Sequence, residues 1–444
     1  MRSVRSLALG VLIRVERDGA HAAPLIDARS AGLPGRDRDL LRAMVKGTLR
    51  SALRLDHVLA RHLSRPVEEL DVEVRAALRL GAAQLLVLDR IPGHAAVSET
   101  VQAAKEMAPR GAGLVNAVLR KVAAEEERPG HVRLPDGADP LLRLALETSH
   151  PPWLVKRWVA EMGLGAAQAA LEADNTDSPV DLLADPLVGT PDEVRSLLAA
   201  DGVEVVPSPW APLALTAVSG NVVGHPLVRS RRLAVVDVAA QGLVELVAPA
   251  ETVVDLTAAP GGKTRTLLAR GLARRVIALE RQPSRVVRLA GNLAAAGRAG
   301  QVLVVNADAA SPPLPEGRFT SIVLDAPCSG TGTLRKNPEI RLRLRPAALG
   351  TLATLQAALL RAAVGLLAPG GLLTWVTCSL EPEENERVVE QVLGERPFLV
   401  KVPPDRSLLP EPVRRACRPD GSVRIPPGPT NDGFSVLTVG RIRQ

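Results

Sequence analysis

Apolar residues recur at helical spacing throughout the first part of this chain. Positions three and four residues apart are apolar in five stretches without strand-like alternation: 4–17, 39–63, 72–88, 94–107 and 112–124. Gly47 and Gly81 fall inside two of these stretches, where a residue without a side chain indicates close helix packing. The pattern predicts a small all-α bundle over residues 1–127.

A charged run interrupts the helical pattern after this bundle. It ends in Pro129 and Gly130, which disfavour both helix and strand. We therefore predict a linker over residues 128–148 that contains one short helix at 140–147.

Short pieces of mixed character follow the linker. Helical spacing returns first, and strand-like and helical pieces then alternate. They predict a small α+β module over residues 149–232, with a helical stretch at 149–173, strands at 180–184 and 203–206, and a helix at 191–200.

From residue 233 onward, strand and helix patterns alternate regularly. Strands are predicted at 252–256, 275–279, 301–306, 321–325 and 372–377, and a last one at 433–440. Helices are predicted between them at 265–270, 282–296 and 349–367. Alternating βα units are typical of a doubly wound, mostly parallel sheet, so we predict a Rossmann-like α/β domain over residues 233–444.

Composition indicates a soluble globular protein. The chain has 444 residues, enough for two or three domains, with 46% hydrophobic and 23% charged residues. No run approaches the roughly 20 apolar residues of a membrane span, so no membrane partner is expected. The apolar run at 7–13 is short and belongs to an amphipathic helix, so a cytoplasmic location is expected.

The charge balance favours a polyanionic partner. The net charge is +7, although arginine greatly outnumbers lysine, as it also would in an arginine-rich proteome. The chain has no tyrosine, three phenylalanines and four tryptophans. Bases of a bound RNA would therefore find few aromatic stacking partners, and RNA would be held mainly by charge and shape. The pattern does not determine the oligomeric state, and a monomer is expected.

Residues 253–264 combine a buried strand, a tight turn and a helix start. Two valines and Asp255 are followed by small residues, Pro260 and the pair Gly261 and Gly262. Glycine backbone can approach a ligand closely, and the helix N-terminus attracts an anionic group. The spacing matches neither a P-loop nor a GxGxxG turn, and an ordinary βα turn without a ligand is the alternative.

Acidic residues end or follow the next two predicted strands. Glu280 stands nineteen residues after Gly261, where an acid can bind ribose hydroxyls, and Asp308 can accept a hydrogen bond from an adenine amino group. Taken singly, Glu280 could be a surface acid paired with Arg281 or Arg285, and Asp308 a helix N-cap. Together with the glycine turn they predict an S-adenosylmethionine site rather than a dinucleotide site.

Two cysteines stand where two predicted strands end. Cys328 follows Asp325 and Pro327, and Cys378 follows the next strand of the domain. Reactive thiols need a polar, partly open setting such as this edge, whereas the alternative is that both are buried filler. The third cysteine, Cys417, lies in a charged loop and is predicted to be structural.

Several chemistries are disfavoured by the same residues. Three widely spaced cysteines suit neither a disulfide framework nor a zinc site, so no metal is expected. All seven histidines lie at or before His225, which excludes a Cys–His hydrolase built within the last domain.

Two basic features have both a functional and a plain interpretation. Lys263 can support the cofactor carboxylate or the turn, or it can be a solvated lysine at a helix start. Residues 335–339 can bind RNA phosphates, or they can form a solvated loop.

Several segments resemble a known family. Residues 257–264, 325–332 and 377–379 resemble the three hallmark motifs of RNA (cytosine-5) methyltransferases. Residues 46–50, 79–81 and 115–120 are similar to signature segments of NusB-type RNA-binding domains, and residues 180–223 resemble a small module of the same enzymes. Over nearly its whole length the chain resembles the RsmB (Sun/Fmu) family, which acts on small-subunit ribosomal RNA.

The chain departs from the family pattern at three places. Thr257 stands where cysteine is usual, and Glu280 stands where aspartate is common. Residues 181–184 lack an arginine that the family usually carries, which weakens the expectation of an RNA contact there.

The resemblance implies S-adenosylmethionine-dependent methylation of cytosine C5 in 16S ribosomal RNA through a covalent adduct. It implies Cys378 as the nucleophile, Cys328 as the group that assists release, and Asp325 near N3 of the base. The residues alone do not rank the thiols, because DNA cytosine-5 methyltransferases use a thiol after proline, as in Cys328. The implied cofactor residues are Thr257, Ala258, Ala259, Pro260, Gly261, Gly262, Lys263, Glu280, Asp308 and Asp325.

Two other functions are compatible with the sequence. A transfer RNA substrate would use the same chemistry, and only the similarity to NusB-type domains favours ribosomal RNA. A non-catalytic RNA-binding assembly factor could keep the cofactor fold, but the pair of thiols argues against it.

Overall fold

The computed structural model describes residues 3–89, 91–125, 137 and 139–443. The chain divides into two compact units, Met1–Thr176 with Leu334–Leu344 and Asp177–Thr333 with Arg345–Gln444. Ten residues of the predicted linker, 128–136 and 138, lie outside the described residues.

The first unit is built from helices, as predicted. Its bundle consists of α1 Val4–Asp18, α2 Ala22–Ser30, α3 Gly35–Ala60, α4 Val72–Leu86, α5 Gly93–Met107 and α6 Ala112–Ala124. The core contains Leu12, Met44 and Leu78, which are fully buried. Helix α2 was not predicted, because it buries only Ala22 and Ile26 and so lacks an apolar stripe.

Helices α4 and α6 pack closely at Gly81. A Cβ atom at this position would lie 2.3 Å from Cδ1 of Leu119, so the contact requires glycine. At Gly47 a Cβ would meet only Leu88, at 3.4 Å. The prediction of close packing is therefore confirmed at Gly81, whereas Gly47 makes a much looser contact.

Three further helices complete the amino-terminal part of this unit. They are α7 Pro140–Thr148, α8 Pro152–Met162 and α9 Leu164–Ala173. The helical stretch predicted at 149–173 is thus two helices, because Gly163 between them takes a φ of +81°, which ends the helical conformation.

Residues 334–344, which follow segment 325–332 in sequence, belong to the helical unit. Arg341, near the start of this segment's short helix, is buried and donates to the backbone oxygens of Arg50 and Asp174, each at 2.9 Å. Arg335 and Glu339 are buried as well. The two interpretations of residues 335–339, a phosphate clamp or a solvated loop, are both wrong for these side chains because they are not accessible.

The second unit begins with a four-stranded antiparallel sheet of order β2-β3-β1-β4. Its elements are β1 Asp181–Leu183, α10 Pro191–Ala200, β2 Glu204–Pro207, β3 Ala214–Ser219, α11 Pro226–Arg229 and β4 Ala234–Val235. Helix α10 begins with a capping box between Thr190 and Glu193. The sequence did not predict β4, because two residues are too short for a period and pair with β1 only in the folded chain.

A larger sheet of order β10-β12-β9-β8-β5-β6-β7 forms the rest of this unit, with β11 paired to β12. Strands β5 to β9 run parallel to one another, β12 pairs antiparallel with β9, and β10 and β11 pair antiparallel with β12. The predicted doubly wound, mostly parallel sheet is confirmed. Its strands are β5 Ala250–Asp255, β6 Ala273–Glu280, β7 Val302–Asn306, β8 Phe319–Asp325, β9 Leu367–Thr377, β10 Leu399–Lys401, β11 Val423–Ile425 and β12 Phe434–Arg441.

Helices cover both faces of the large sheet, so neighbouring strand residues enter different cores. Val253 packs in one apolar cluster and Val254 in the other, because successive side chains of a strand point to opposite faces. The helices are α12 Val238–Leu243, α13 Gly262–Ala269, α14 Pro283–Ala295, α16 Pro346–Gly365, α17 Glu386–Gly394 and α18 Glu411–Arg415; α15 Ile340–Arg343 belongs to the first unit.

Helix α16 is long and apolar enough to cross a membrane by length and composition. From the sequence, no run was expected to approach the length of a membrane span, and this helix departs from that expectation. Its residues Leu360, Ala363 and Val364 are buried in a sheet-facing cluster, and a core helix has the same composition. The property is therefore weak evidence for a membrane span.

Candidate active site

A cavity of about 370 Å³ opens at the carboxyl ends of the parallel strands. It is lined by residues that follow β5, β6, β7, β8 and β9 and by two leucines of α16. Seven predicted site residues line it: Thr257, Ala259, Glu280, Asp308, Asp325, Cys328 and Cys378. Three others, Pro260, Gly261 and Gly262, line a separate cavity of about 180 Å³.

The two cysteines meet in the larger cavity. Strands β8 and β9 are parallel neighbours, with Asp325 opposite Val376, so the residues that follow them reach the same edge of the sheet. The Sγ atoms of Cys328 and Cys378 lie 3.3 Å apart. Fifty residues separate the two thiols in sequence, so only strand order brings them together.

The hydrogen bond with Cys378, together with burial, raises the pKa of the Cys328 thiol well above its ordinary value. Cys328 therefore stays protonated and can donate its S–H to Cys378. The contact therefore makes one sulfur the hydrogen-bond donor and the other its acceptor.

Lys263 is paired with Asp325 at the edge of the cavity. Its Nζ lies 2.7 Å from Oδ2 of Asp325 and 5.7 Å from the ring centre of Phe434. Burial alone would lower the pKa of Lys263, but the carboxylate of Asp325 outweighs burial and raises it. The interpretation of Lys263 as a solvated lysine is therefore wrong.

Glu280 and Asp308 lie in the same cavity at the ends of β6 and β7. Glu280 is buried; it accepts from the backbone N–H of Gln282 at 2.8 Å and lies 3.4 Å from Arg285. Glu280 is therefore not a surface acid, although it does pair with Arg285, as that alternative predicted. Asp308 accepts from the N–H of Ala310 at 2.9 Å, in a turn that no helix follows, so it is not a helix N-cap.

Family models match three parts of the chain. They describe the NusB family over residues 2–124, a ferredoxin-like domain of RsmF/B-like methyltransferases over 150–222, and 16S rRNA methyltransferase RsmB/F over 245–436. A probable ribosomal RNA small subunit methyltransferase B of Bacillus subtilis is 31% identical over 98% of each chain. The chain belongs to the RsmB/F methyltransferase family.

Other relatives and solved structures agree with this membership. A putative methyltransferase of Mycobacterium tuberculosis is 35% identical to this RsmB/F member, over 88% of this chain and 87% of the relative. The crystal structure of PH0851 has a TM-score of 0.82 with 24% identity and covers 99% of both chains. NSun6 from Pyrococcus horikoshii, solved with SFG, has a TM-score of 0.55 with 15% identity and covers 65% of this chain and 97% of its own. These two likenesses support the fold alone.

In this RsmB/F member, Asp255 stabilises the turn after β5 by a hydrogen bond. Its carboxylate is buried and accepts from Oγ1 of Thr264 at 2.6 Å. Burial raises the pKa of Asp255 to about 6. Gly261 takes a φ of +107°, and a Cβ there would lie 2.9 Å from Leu289, so the turn requires glycine at this position.

The carboxylate that fixes the Cys328 loop by hydrogen bonds was not predicted from the sequence. Glu384 is buried; it accepts from the backbone N–H of Ser329 at 2.8 Å and from Oγ of Ser379 at 2.5 Å. Gln356 of α16 donates to the backbone oxygen of Pro327 at 2.9 Å. The only sequence signal was the position of Glu384, six residues after Cys378 and within an acidic segment.

Cys417 lies away from the two cavities, and no metal site is found among the described residues. Cys417 lines neither cavity and donates to the backbone oxygen of Val413 at 3.5 Å. Within residues 3–89, 91–125, 137 and 139–443, no group of three or more His, Cys, Asp or Glu side chains could hold a metal ion.

Proposed function

We propose that this RsmB/F-family protein uses S-adenosylmethionine to methylate carbon 5 of a cytosine in small-subunit ribosomal RNA, through a covalent cysteine adduct, in the cytoplasm. The observation that carries the proposal is the pair of thiols, Cys328 and Cys378, 3.3 Å apart in a cavity that also contains three carboxylates. One thiol can attack the base while the other remains protonated beside it.

The cavity fits the proposed cofactor in size and in its polar groups. Its volume of about 370 Å³ is within the range of roughly 300–1,000 Å³ typical of small-molecule sites. Glu280 would accept hydrogen bonds from the ribose hydroxyls and Asp308 from the adenine amino group. Thr257, Ala258 and Ala259 would hold the methionine part, and Pro260, Gly261 and Gly262, which line the smaller cavity, would keep the shape of the turn. Bound S-adenosylmethionine would supply an electrophilic methyl group.

Cys378 would act on carbon 6 of the target cytosine. Its thiolate forms the S–C6 bond, and the electron pair of the C5–C6 double bond moves toward C5 and N3, which makes C5 nucleophilic. After C5 has accepted the methyl group, a water molecule acts as the base and takes the C5 proton, the C5–C6 double bond re-forms and the Cys378 thiolate leaves. Cys328, a neutral thiol in contact with Cys378, would assist this release by donating a proton to the departing sulfur.

Asp325 and Lys263 would stabilise the charge that develops on the ring. Asp325 lines the cavity, and its carboxylate is held by Lys263 at 2.7 Å. The Lys263 cation favours negative charge on the base after thiolate addition, and a proton passed from Lys263 through the Asp325 carboxyl group to N3 would neutralise that charge. The geometry supports Lys263 in this role as much as in binding the cofactor.

Ribosomal RNA as the substrate is supported by the relatives. The Bacillus subtilis relative, aligned over 98% of this chain, is named for the small ribosomal subunit, and the helical unit matches the NusB family. A net charge of +7 suits an RNA partner. The domains 1–127, 149–232 and 233–444 stay predictions, and residues 149–176 and 334–344 pack with the helical unit.

Methyl transfer and adduct formation test the two thiols separately. Purified protein is incubated with labelled S-adenosylmethionine and 16S ribosomal RNA, and label in RNA and denaturation-resistant RNA–protein complex are both measured. Cys378→Ala should abolish both, whereas Cys328→Ala should accumulate the complex. Cys417→Ala is the matched control and should behave as the wild type, because that thiol lines neither cavity.

Other outcomes point to other functions. Full activity of Cys378→Ala contradicts the assigned roles, and exchange of the two phenotypes reverses them. Label in transfer RNA instead of 16S RNA identifies the other substrate. RNA binding without label, unaffected by either substitution, identifies an assembly factor. Bisulfite sequencing of RNA from a deletion strain locates the modified cytosine.

A further inference from the structure

Basic side chains continue along helix α14 away from the catalytic cavity. Arg285 lines that cavity, and Arg288 follows one helical turn later. Residues three apart on a helix are surface neighbours, so the two guanidinium groups lie on one face. Arg288 is exposed, and within the described part of the chain no carboxylate pairs with it.

A third arginine joins this face from the small antiparallel module. Nη1 of Arg231 lies 3.5 Å from the position that a Cβ of Gly291 would occupy, one turn beyond Arg288. Arg231 is also exposed, and no carboxylate among the described residues pairs with it. We call Arg285, Arg288 and Arg231 the α14 stripe.

The backbone that presents Arg231 is held firmly in an unusual conformation. Its φ is +63°, one of two positive values for non-glycine residues in the described chain. Such a conformation is unfavourable unless the surroundings impose it. Here Arg265, which is buried and paired with Asp185, donates to the backbone oxygens of Arg231, at 2.8 Å, and of Arg232.

The stripe ends at the smaller cavity, of about 180 Å³. Leu233, Val236 and Leu293 give it an apolar wall, and Arg231 and Asn292 provide polar groups. It shares no lining residue with the catalytic cavity. Seven residues of α14 separate Arg285 from Asn292, a distance of about 10 Å along the helix.

We propose that the α14 stripe binds the single-stranded RNA next to the target nucleotide, with phosphates on Arg288 and Arg231 and one flanking base in the smaller cavity, while Arg285 stays paired with Glu280. The inference rests on the proposed RNA substrate and names a site beyond the catalytic one. Repeated cations beside a single apolar slot match a strand of phosphates and bases. In a chain with few aromatic residues, the guanidinium plane of Arg231 supplies the stacking surface for that base.

The test measures RNA binding apart from methyl transfer. Arg231→Gly removes the side chain and leaves a residue that adopts the positive φ freely, so the fold is preserved. It is combined with Arg288→Ala, and Arg414→Ala, an exposed arginine of α18 that lines neither cavity, is the matched control. Binding of a labelled RNA oligonucleotide that spans the mapped cytosine is measured over a salt series.

The double variant should bind this RNA roughly tenfold more weakly, with a log–log salt slope smaller by about 1.4, as expected for two lost phosphate contacts. Its kcat at saturating RNA and its KM for S-adenosylmethionine should be unchanged. In oligonucleotides with single abasic sites, one flanking position should weaken binding by the wild type and have no effect with Arg231→Gly.

Two results would overturn the inference. One is RNA binding by the double variant equal to that of Arg414→Ala, and the other is a fall in kcat with unchanged RNA affinity. If the wild type binds RNA through the stripe but transfers no methyl group, the stripe stands and the proposed catalytic function fails. If the wild type methylates RNA and the stripe variants bind RNA normally, the proposed catalytic function stands and the stripe fails.

Discussion

Two cations on the first turn of α13 have opposite environments. Lys263 pairs with Asp325, whose side chain is 34% exposed and lines the catalytic cavity. Arg265, two residues later, pairs with Asp185, which is fully buried and also binds Arg298 at 2.6 Å. Residues two apart on a helix point in different directions, so one turn serves two separate sites.

The difference lies in whether a ligand can reach the acid. Asp185 has both carboxylate oxygens bound by arginines and is closed to solvent, so this cluster joins the small module to the large sheet. Asp325 has one oxygen bound by Lys263 and remains accessible in the cavity. Of these two paired carboxylates, only Asp325 has an oxygen that a ligand in the cavity can reach.

The largest expected effect is at the open pair. Lys263→Met should lower the rate of methyl transfer about 100- to 1,000-fold, because a fixed positive group beside the reacting base is lost. The free energy of unfolding should change little, since Asp325 can then be hydrated. Single-turnover kinetics and denaturant unfolding measure the two quantities, and Lys263→Arg is the control that keeps the charge. If Lys263→Met lowered stability without lowering the rate, the Lys263–Asp325 pair would be structural, like the Arg265–Asp185 pair.

The closed cluster should respond in the opposite way. Arg265→Met leaves Asp185 buried with one cation and removes the bonds to the Arg231 loop, so the free energy of unfolding should fall by about 3–5 kcal/mol. Methyl transfer per folded molecule at saturating RNA should stay close to the wild-type value. Urea unfolding of Arg265→Met beside Arg265→Lys measures the loss, and an unchanged midpoint would contradict the role of this cluster.

Asp255, beneath the same turn, should make stability depend on pH. Its pKa of about 6 in the folded protein lies above its ordinary value of 3.8, so its contribution is complete below pH 4 and is lost as the pH rises through 6. The loss amounts to about 3 kcal/mol. Unfolding free energies between pH 4 and 7 should fall less steeply for Asp255→Asn than for the wild type. Equal slopes would show that Asp255 does not titrate with a raised pKa.

The smallest effect is expected at Thr257, which supports the open pair from the side. Its Oγ1 donates to the backbone oxygen of Asp325 at 2.9 Å. Thr257→Ala should cost about 1 kcal/mol of unfolding free energy, the usual value of one hydrogen bond, and Thr257→Ser should recover most of it. A rate loss as large as that of Lys263→Met would instead give Thr257 a direct part in the reaction.

Much of the large sheet could be predicted because its signals are local. Strands β5 to β9 are covered on both faces, so they appear as apolar runs, and helices fall between them. β10 and β11 have three residues each, too few for a period, and they were missed. The positions of Glu280, Asp308, Cys328 and Cys378 at one edge followed from strand ends alone.

The partners of the charged residues could not be predicted. Lys263 and Asp325 are 62 residues apart, and Arg265 and Asp185 are 80 apart. Nothing in local spacing distinguishes Lys263 from Arg265 as the residue that pairs with the acid lining the cavity. The same limit applies to residues 335–339, which look like a charged loop and contain buried side chains.

The sequence by itself determined the fold class, the glycine turn after β5 and the presence of two thiols at strand ends, because apolar period, glycine and strand termini are properties of neighbouring residues. Only the tertiary structure decided that the sulfurs are in contact, that Lys263 holds Asp325, and that three arginines line one face of α14. These contacts depend on strand order and on packing between segments that are distant in sequence. No short stretch of the chain contains both partners of such a contact, so local patterns cannot predict it.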